Sequence, residues 1–316
     1  MTIGFTPTAT IKTLKARAQL LAAIRAYFLQ QHVTEVDVPA LGHFSVTDVH
    51  LAALAVEVGN STQYLQTSPE FYMKRLLAAG MGDIYSLGKA YRADESGSRH
   101  RPEFTMLEWY RCGFDDAALM ADIAGLLQAV GVSEPIKQVA YGEVFERVTG
   151  LNPHTAGEQG DDSLAQYALQ HFDAAWPNTP KSTWLDLIFS QHVEPTLLEP
   201  TFVFDFPACQ CALAKIANNS AGQKVAKRFE LYWQGLELAN GYWELTCPQE
   251  QRARFDQDNA TRSKQGLQPI TPDPHFIAAM EHGLPECAGV ALGVDRLLMC
   301  LLQEKDIAAV IPFAQG

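Results

Sequence analysis

The sequence predicts an α+β fold, an antiparallel β-sheet flanked by helices. Two observations carry this. Short apolar runs with strand alternation are scattered among helical stretches instead of alternating with them one for one. Two of those runs, DIYSLGKAYR and EFTMLEWYRCGF, are joined by a long polar loop, ADESGSRHRP, as antiparallel neighbours are.

The elements follow in order. Ile11, Leu14, Ala18, Leu21, Ile24 and Phe28 recur at steps of three and four, which predicts an amphipathic helix ending near Gln30. VTEVDVPAL then alternates, with Val36 and Val38 on one face and Pro39 closing the strand. QYLQTSPE leads into the helix EFYMKRLLAAG, which Gly80 stops. Residues 115–200 read as helical, most clearly in DDAALMADIAGLLQAV and TWLDLIFSQHV. Strands return at TFVFDFP, RFELYWQGLELANGYWEL and AGVALGV, and DRLLMCLLQ is a closing helix.

Composition narrows the function classes. The chain has 316 residues, 47% hydrophobic and 19% charged, enough apolar content for a large core. With 24 basic against 36 acidic residues the formal net charge is -12. Proteins that hold nucleic acid by its phosphates usually present basic surface, so tRNA is not expected as a substrate. None of the six cysteines forms a CxxC pair, and no apolar run is long enough to span a bilayer. A cytoplasmic location with reduced thiols and no membrane contact is expected.

Three segments carry chemistry. The helix–strand unit ending at Pro39 is uninformative alone. In the second, Arg92 ends one strand, a basic loop holds His100 and Arg101, and Phe104 opens the returning strand. A guanidinium grips phosphate through paired hydrogen bonds, and a phenyl face stacks on a purine. In isolation, a solvated basic hairpin explains the same residues. The third is GVALGVDRL, where Gly293 permits close backbone approach and Arg296 opens a helix whose free N–H groups suit phosphate. Tight packing explains a lone glycine-rich strand end equally well.

Taken in this order, the segments resemble the three motifs of class II aminoacyl-tRNA synthetases. RHRPEFTMLEWY is similar to the corresponding lysyl-enzyme stretch, as are ELANGYWEL and the loop Thr67-Ser68-Pro69-Glu70 with Met73-Lys74-Arg75-Leu76. The resemblance runs from about residue 11 to the end. It implies a tail at 1–10, a catalytic domain at 11–316, and no anticodon-binding barrel before the first motif. The elongation factor P lysine ligases share that layout, and TPTFVFDFPACQCALAKI resembles them too.

The resemblance implies an ATP-dependent ligase that forms an acyl-adenylate of (R)-β-lysine or lysine and passes the acyl group to a lysine of elongation factor P. It implies that Arg92 and Arg296 are catalytic and that Arg92, Ala93, Asp94, His100, Arg101, Phe104, Glu237, Leu238, Gly293 and Arg296 meet ATP, with Phe104 and Arg296 sandwiching the adenine. Glu237 and Glu244 are the implied Mg²⁺ ligands. Ser68, Pro69 and Glu70 would serve the amino group near the substrate carboxylate, and Glu108, Tyr110 and Glu244 the distal ammonium. Ala291 stands where the lysyl enzymes have glycine, adding a methyl group to the pocket wall. Ala93-Asp94 and Arg101 depart from the usual Arg-Asn-Glu and Asn, with Glu95 next door as a substitute for Asp94. A homodimer through residues 11–40 is also implied. A fragment charging tRNA and a non-catalytic paralogue are the competing readings.

Overall fold

A computed structural model describes residues 5–93, 95–158, 160–177 and 179–314. Their contacts gather into two compact units, Met1–Phe114 with Gly125–Val132 and Leu245–Gly316, and Asp115–Ala124 with Ser133–Glu244.

The first unit opens with helix α1 (Ile11–Gln30), capped by the Thr10 hydroxyl, which accepts the Thr13 N–H at 3.1 Å. Strand β1 (Thr34–Glu35) is shorter than the expected run to Val38. The Val36 N–H still reaches Tyr85 O at 2.8 Å, but Pro39 has no N–H with which to continue a ladder. Strands β2 (Leu41–Gly42), β3 (Ala55–Val58) and β4 (Ser61–Leu65) form a small antiparallel sheet in the order β2-β4-β3. The sequence reading passed over β3, although Gly59, with φ 62°, supplies the left-handed residue its tight turn needs. Helix α2 (Glu70–Ala78) and strands β5 (Ile84–Tyr91) and β6 (Glu103–Cys112) stand where expected.

After helix α3 (Asp116–Ala129), the second unit contains β7 (Lys137–Ala140), α4 (Tyr141–Thr149), α5 (Ser163–Phe172), α6 (Lys181–Ile188), β8 (Thr201–Pro207), β9 (Ile216–Asn218), β10 (Lys224–Trp233) and β11 (Leu236–Trp243). Its strands run in the order β11-β10-β8-β7, with β9 against β10; only β7 and β8 are parallel. Tyr141, Phe145, Trp184, Phe189 and Phe206 belong to its buried core. Gly241 lies opposite Phe229, and a β-carbon there would run into the buried Phe229 ring. That is the steric reason for glycine in the Asn240-Gly241 step.

The chain then returns to the first unit with α7 (Pro248–Lys264), α8 (Pro274–Gly283), β12 (Cys287–Gly293) and α9 (Val294–Leu302). The sequence reading missed α7 because it buries little: Gln251 and Phe255 are its buried residues, and its surface carries pairs such as Arg254–Glu250. Strand order here is β1-β5-β6-β12, antiparallel except for β1 against β5. No helix among the described residues is long and apolar enough to cross a membrane, and all six cysteines are free thiols.

Strand register divides this sheet into two faces. Partners directly opposite share a face, so Ser86, Glu108 and Ala291 lie on one, and Tyr85, Trp109 and Val290 on the other. The second face meets α1: Phe28 stacks on Tyr85 with ring centres 4.4 Å apart and meets Trp109 edge-on at 5.4 Å. Beside these rings a buried ion pair fixes the helices. Arg17 Nη1 donates to Asp295 Oδ1 at 2.5 Å, Arg17 Nη2 donates to Thr105 Oγ1 at 2.7 Å, and the Thr105 N–H donates to Asp295 Oδ2 at 2.7 Å. Removing one partner of such a pair strands the other charge away from water. Arg17→Met is expected to cost about 3–5 kcal/mol of stability, read from its midpoint in urea, and Arg17→Met/Asp295→Leu to recover part of it. A loss well under about 1 kcal/mol would show that the pair is dispensable.

Candidate active site

The face of β5, β6 and β12 turned away from α1 carries Phe104, Met106, Glu108 and Tyr110 from β6, with Ala291 and Gly293 from β12. Glu108 is its chemical centre. Its carboxylate is 2% exposed and fully engaged: Ser68 Oγ donates to Oε2 at 2.6 Å and Tyr110 Oη to Oε1 at 2.8 Å. Burial, followed by the negative charge of Glu70, pushes its carboxyl up to about 7. The hydrogen bonds from Ser68 and Tyr110 and the charge of Lys74 oppose that rise. A dry carboxylate held by two neutral donors is suited to receive an ammonium that loses its own water on entry.

The loop before α2 completes this end of the site. Ser68 Oγ also accepts the Glu70 N–H at 3.0 Å, and Pro69 is the N-cap of α2. Glu70 therefore sits in the first helical turn, where its charge suits the helix dipole. Its Oε1 accepts from Lys74 Nζ at 2.5 Å. Lys74 was quoted in the resemblance but given no task, since nothing in the sequence separates a buried lysine from a solvated one. Ala291 is the direct cross-strand partner of Glu108, so its methyl group stands on the same face. A cavity of about 340 Å³ opens beside this floor, lined in part by Ser86, Met106, Gln66 and Pro69.

Toward the other end of β5 and β6 the chemistry becomes cationic. The Arg92 N–H donates to Pro102 O at 2.9 Å, continuing the ladder past Tyr91. Its guanidinium lies 5.2 Å from the Phe104 ring centre and pairs with Glu95 at 3.0 Å. Arg92 Nε and Arg101 Nε are buried and meet no acceptor among the described residues, which leaves directed N–H groups for an anion. The Ala93 N–H is taken by Ala52 O at 2.8 Å. Asp94 lies outside the described residues, and Glu95 is turned to Arg92.

Arg296 follows Gly293, the N-cap of α9, by three residues. Its Nε donates to Arg99 O at 3.3 Å, and Nη2 touches His100 Nε2. The structure thus joins Arg296 to the loop that carries His100, while the cation over Phe104 is Arg92. An adenine between Phe104 and Arg296 would therefore meet an Arg296 that is held by His100 and the Arg99 carbonyl.

The second unit carries Glu237, Leu238 and Glu244. Leu238 is buried in β11. Glu237 is the cross-strand partner of Tyr232, two residues from Glu230 on β10, so the two acids share a face; both charges raise the Tyr232 hydroxyl, after burial. Glu244 is 1% exposed and stands just past the end of β11, bridged to Ala214. Seven residues of extended chain separate it from Glu237, roughly 20 Å of strand. One Mg²⁺ holds its oxygens at about 2.1 Å, so the expected pairing of Glu237 with Glu244 on a single ion does not fit. Glu230, passed over in the sequence reading, is the acid whose position fits beside Glu237. Period-two alternation through Arg228, Glu230 and Tyr232 was the available signal.

Comparison with known proteins fits this geometry. Residues 4–316 match the family model of tRNA synthetases class II (D, K and N). The chain is 51% identical to the elongation factor P--(R)-beta-lysine ligase of Vibrio cholerae serotype O1, covering 97% of this chain and 96% of that protein. It is 49% identical to the ligase of that name from Pseudoalteromonas translucida, over 97% and 96% of the two chains. It is 44% identical to the one from Haemophilus ducreyi, over 98% and 96%. An acid floor backed by Arg92 and Arg296, on a sheet buttressed by the first and third motifs, is therefore carried by a member of the class II tRNA synthetase (D, K and N) family, in its elongation factor P--(R)-beta-lysine ligase group.

Proposed function

We propose that this protein activates (R)-β-lysine with ATP and transfers it to a lysine side chain of elongation factor P. The observation that carries this reading is the floor of the site, where Ser68 and Tyr110 both donate to the buried Glu108 carboxylate, an arrangement suited to an ammonium, on the strand that pairs with the one leading to Arg92. Relatives that match nearly end to end bear the name of that activity.

In the first step a carboxylate oxygen of the amino acid attacks the α-phosphorus of ATP. The bond to the bridging oxygen breaks, and pyrophosphate leaves. Arg92 holds the substrate carboxylate and α-phosphate together, giving up Glu95 as it does so, and Arg296 meets the far phosphates. Mg²⁺ would lie against Glu237 and Glu230, where it would offset phosphate charge. In the second step a neutral lysine amine attacks the activated carbonyl, an amide forms, and AMP departs. The work is placement and charge balance, with no protein nucleophile. The reaction belongs in a reducing cytoplasm, where six free thiols persist.

Incubation of the protein with ATP, (R)-β-lysine and elongation factor P should add one β-lysyl residue to the factor's intact mass. Charging of tRNA with no mass change on the factor would transfer the assignment to a tRNA-charging enzyme. We further propose a homodimer through residues 11–40; light scattering that reports a monomer at micromolar concentration would remove it. Finally, the methyl group of Ala291 lies beside Glu108 on the same face and takes space in the amino-acid site that glycine would leave open. Ala291→Gly should shift the ratio of kcat/KM values toward α-lysine by about ten- to two-hundredfold. An unchanged ratio would leave Ala291 a packing residue only.

A further inference from the structure

Lys74 is a lysine almost without water: it lies in α2 and is 2% exposed. An ion pair between residues four apart on a helix surface is too weak to offset the burial of an ammonium. This one is inside the protein and belongs to a longer set of contacts. Lys74 Nζ lies 2.5 Å from Glu70 Oε1 and 6.0 Å from the centre of the Tyr110 ring. The Glu70 N–H donates to Ser68 Oγ, and Ser68 and Tyr110 both donate to Glu108. Two carboxylates and one ammonium thus share one cluster, in which Glu108 and Lys74 are buried and Glu70 is partly buried.

We propose that Lys74 is a positioning residue of the amino-acid site: its ammonium fixes Glu70 and offsets the charge of both carboxylates, so that Glu108 meets the incoming amine ionised. This rests on the amine-activating function proposed above. Two carboxylates in a dry site resist being charged together, and a cation beside them relieves that resistance. The groups facing Glu108 are Glu70 and Lys74 from α2, Ser68 from the loop before it and Tyr110 from its own strand. Ser86 and Ala291, opposite it on β5 and β12, do not titrate. Burial and Glu70 already push Glu108 up to about 7, against the pull of Lys74. Removing Lys74 moves it higher. A carboxyl so raised is neutral below its new midpoint, so amine binding weakens at neutral pH and returns as pH rises.

ATP–pyrophosphate exchange with (R)-β-lysine, followed from about pH 6 to about pH 9 on the full chain, reads this directly. Lys74→Met should lower kcat/KM for the amino acid about fivefold at pH 7 and move the acid limb up by about one unit, with the KM for ATP unchanged. Glu70→Gln/Lys74→Met should likewise lie above Glu70→Gln alone. That comparison isolates Lys74 in a neutral background and stands even if the single Lys74 variant does not fold. An acid limb that stays put in both backgrounds, or a loss equal at every pH, would overturn the proposal and leave Lys74 a structural staple. Absence of exchange in the unaltered protein would instead remove the amine-activating reading itself.

Discussion

The carboxylate of Asp295 receives Arg17 from α1 on one oxygen and the Thr105 N–H from β6 on the other. Arg17 closes the triangle through the Thr105 hydroxyl and also reaches the Val310 carbonyl at 3.3 Å. The first helix, the central strand and the last helix therefore meet at one buried charge pair. Its cost in lost hydration is met only if all these partners stay in register. Two catalytic candidates depend on that register. Phe104 precedes Thr105, and Arg296 follows Asp295, so a slip of one residue at the pair would turn both away.

With that face fixed, the opposite face is free for chemistry. Thr105, Leu107 and Trp109 turn toward the helical layer, and the alternate residues Phe104, Met106 and Glu108 turn to the site. The two ends of this strand differ in kind. Near Tyr110 the environment is dry and acidic, and its carboxylate is supplied with neutral donors. Near Phe104 it is cationic, with the Arg92 and Arg101 Nε groups lacking acceptors among the described residues. A substrate with an amine at one end and a carboxylate to be activated at the other matches that polarity. The strand rise of about 3.3 Å per residue sets the spacing between the two ends.

The second unit follows different rules. Its core is aromatic, and buried polar groups on β10 are tied to one another: Arg228 and Tyr232 both bind Glu230, and Arg228 also donates to the Gln210 carbonyl at 3.0 Å. The charges of Glu230 and neighbouring anionic groups hold the Arg228 guanidinium above its ordinary value, against the opposing effect of burial. Such a network fixes where Glu230 points. It gives that face a shape set by packing, not by local propensity.

Sequence alone determined the helices and strands whose burial has a period: α1, α2, β5, β6, β8, β10, β11, β12 and α9 all stand close to where alternation or a helical stripe puts them. Through resemblance to the class II motifs it also singled out Arg92, Glu108 and Arg296 as candidates. It could not find α7, whose surface is polar all round, or β3 and β7, whose strands of four residues are too short to show a period. Nor could it rank the acids. Glu237 and Glu244 look equivalent along the chain, yet an extended β11 sets them far apart and brings Glu230 to the face of Glu237. Lys74 and Arg17 read as ordinary basic residues on helices. Only the tertiary structure removes their water and gives each a carboxylate, because burial depends on which chain segments pack over a side chain and not on its neighbours in sequence.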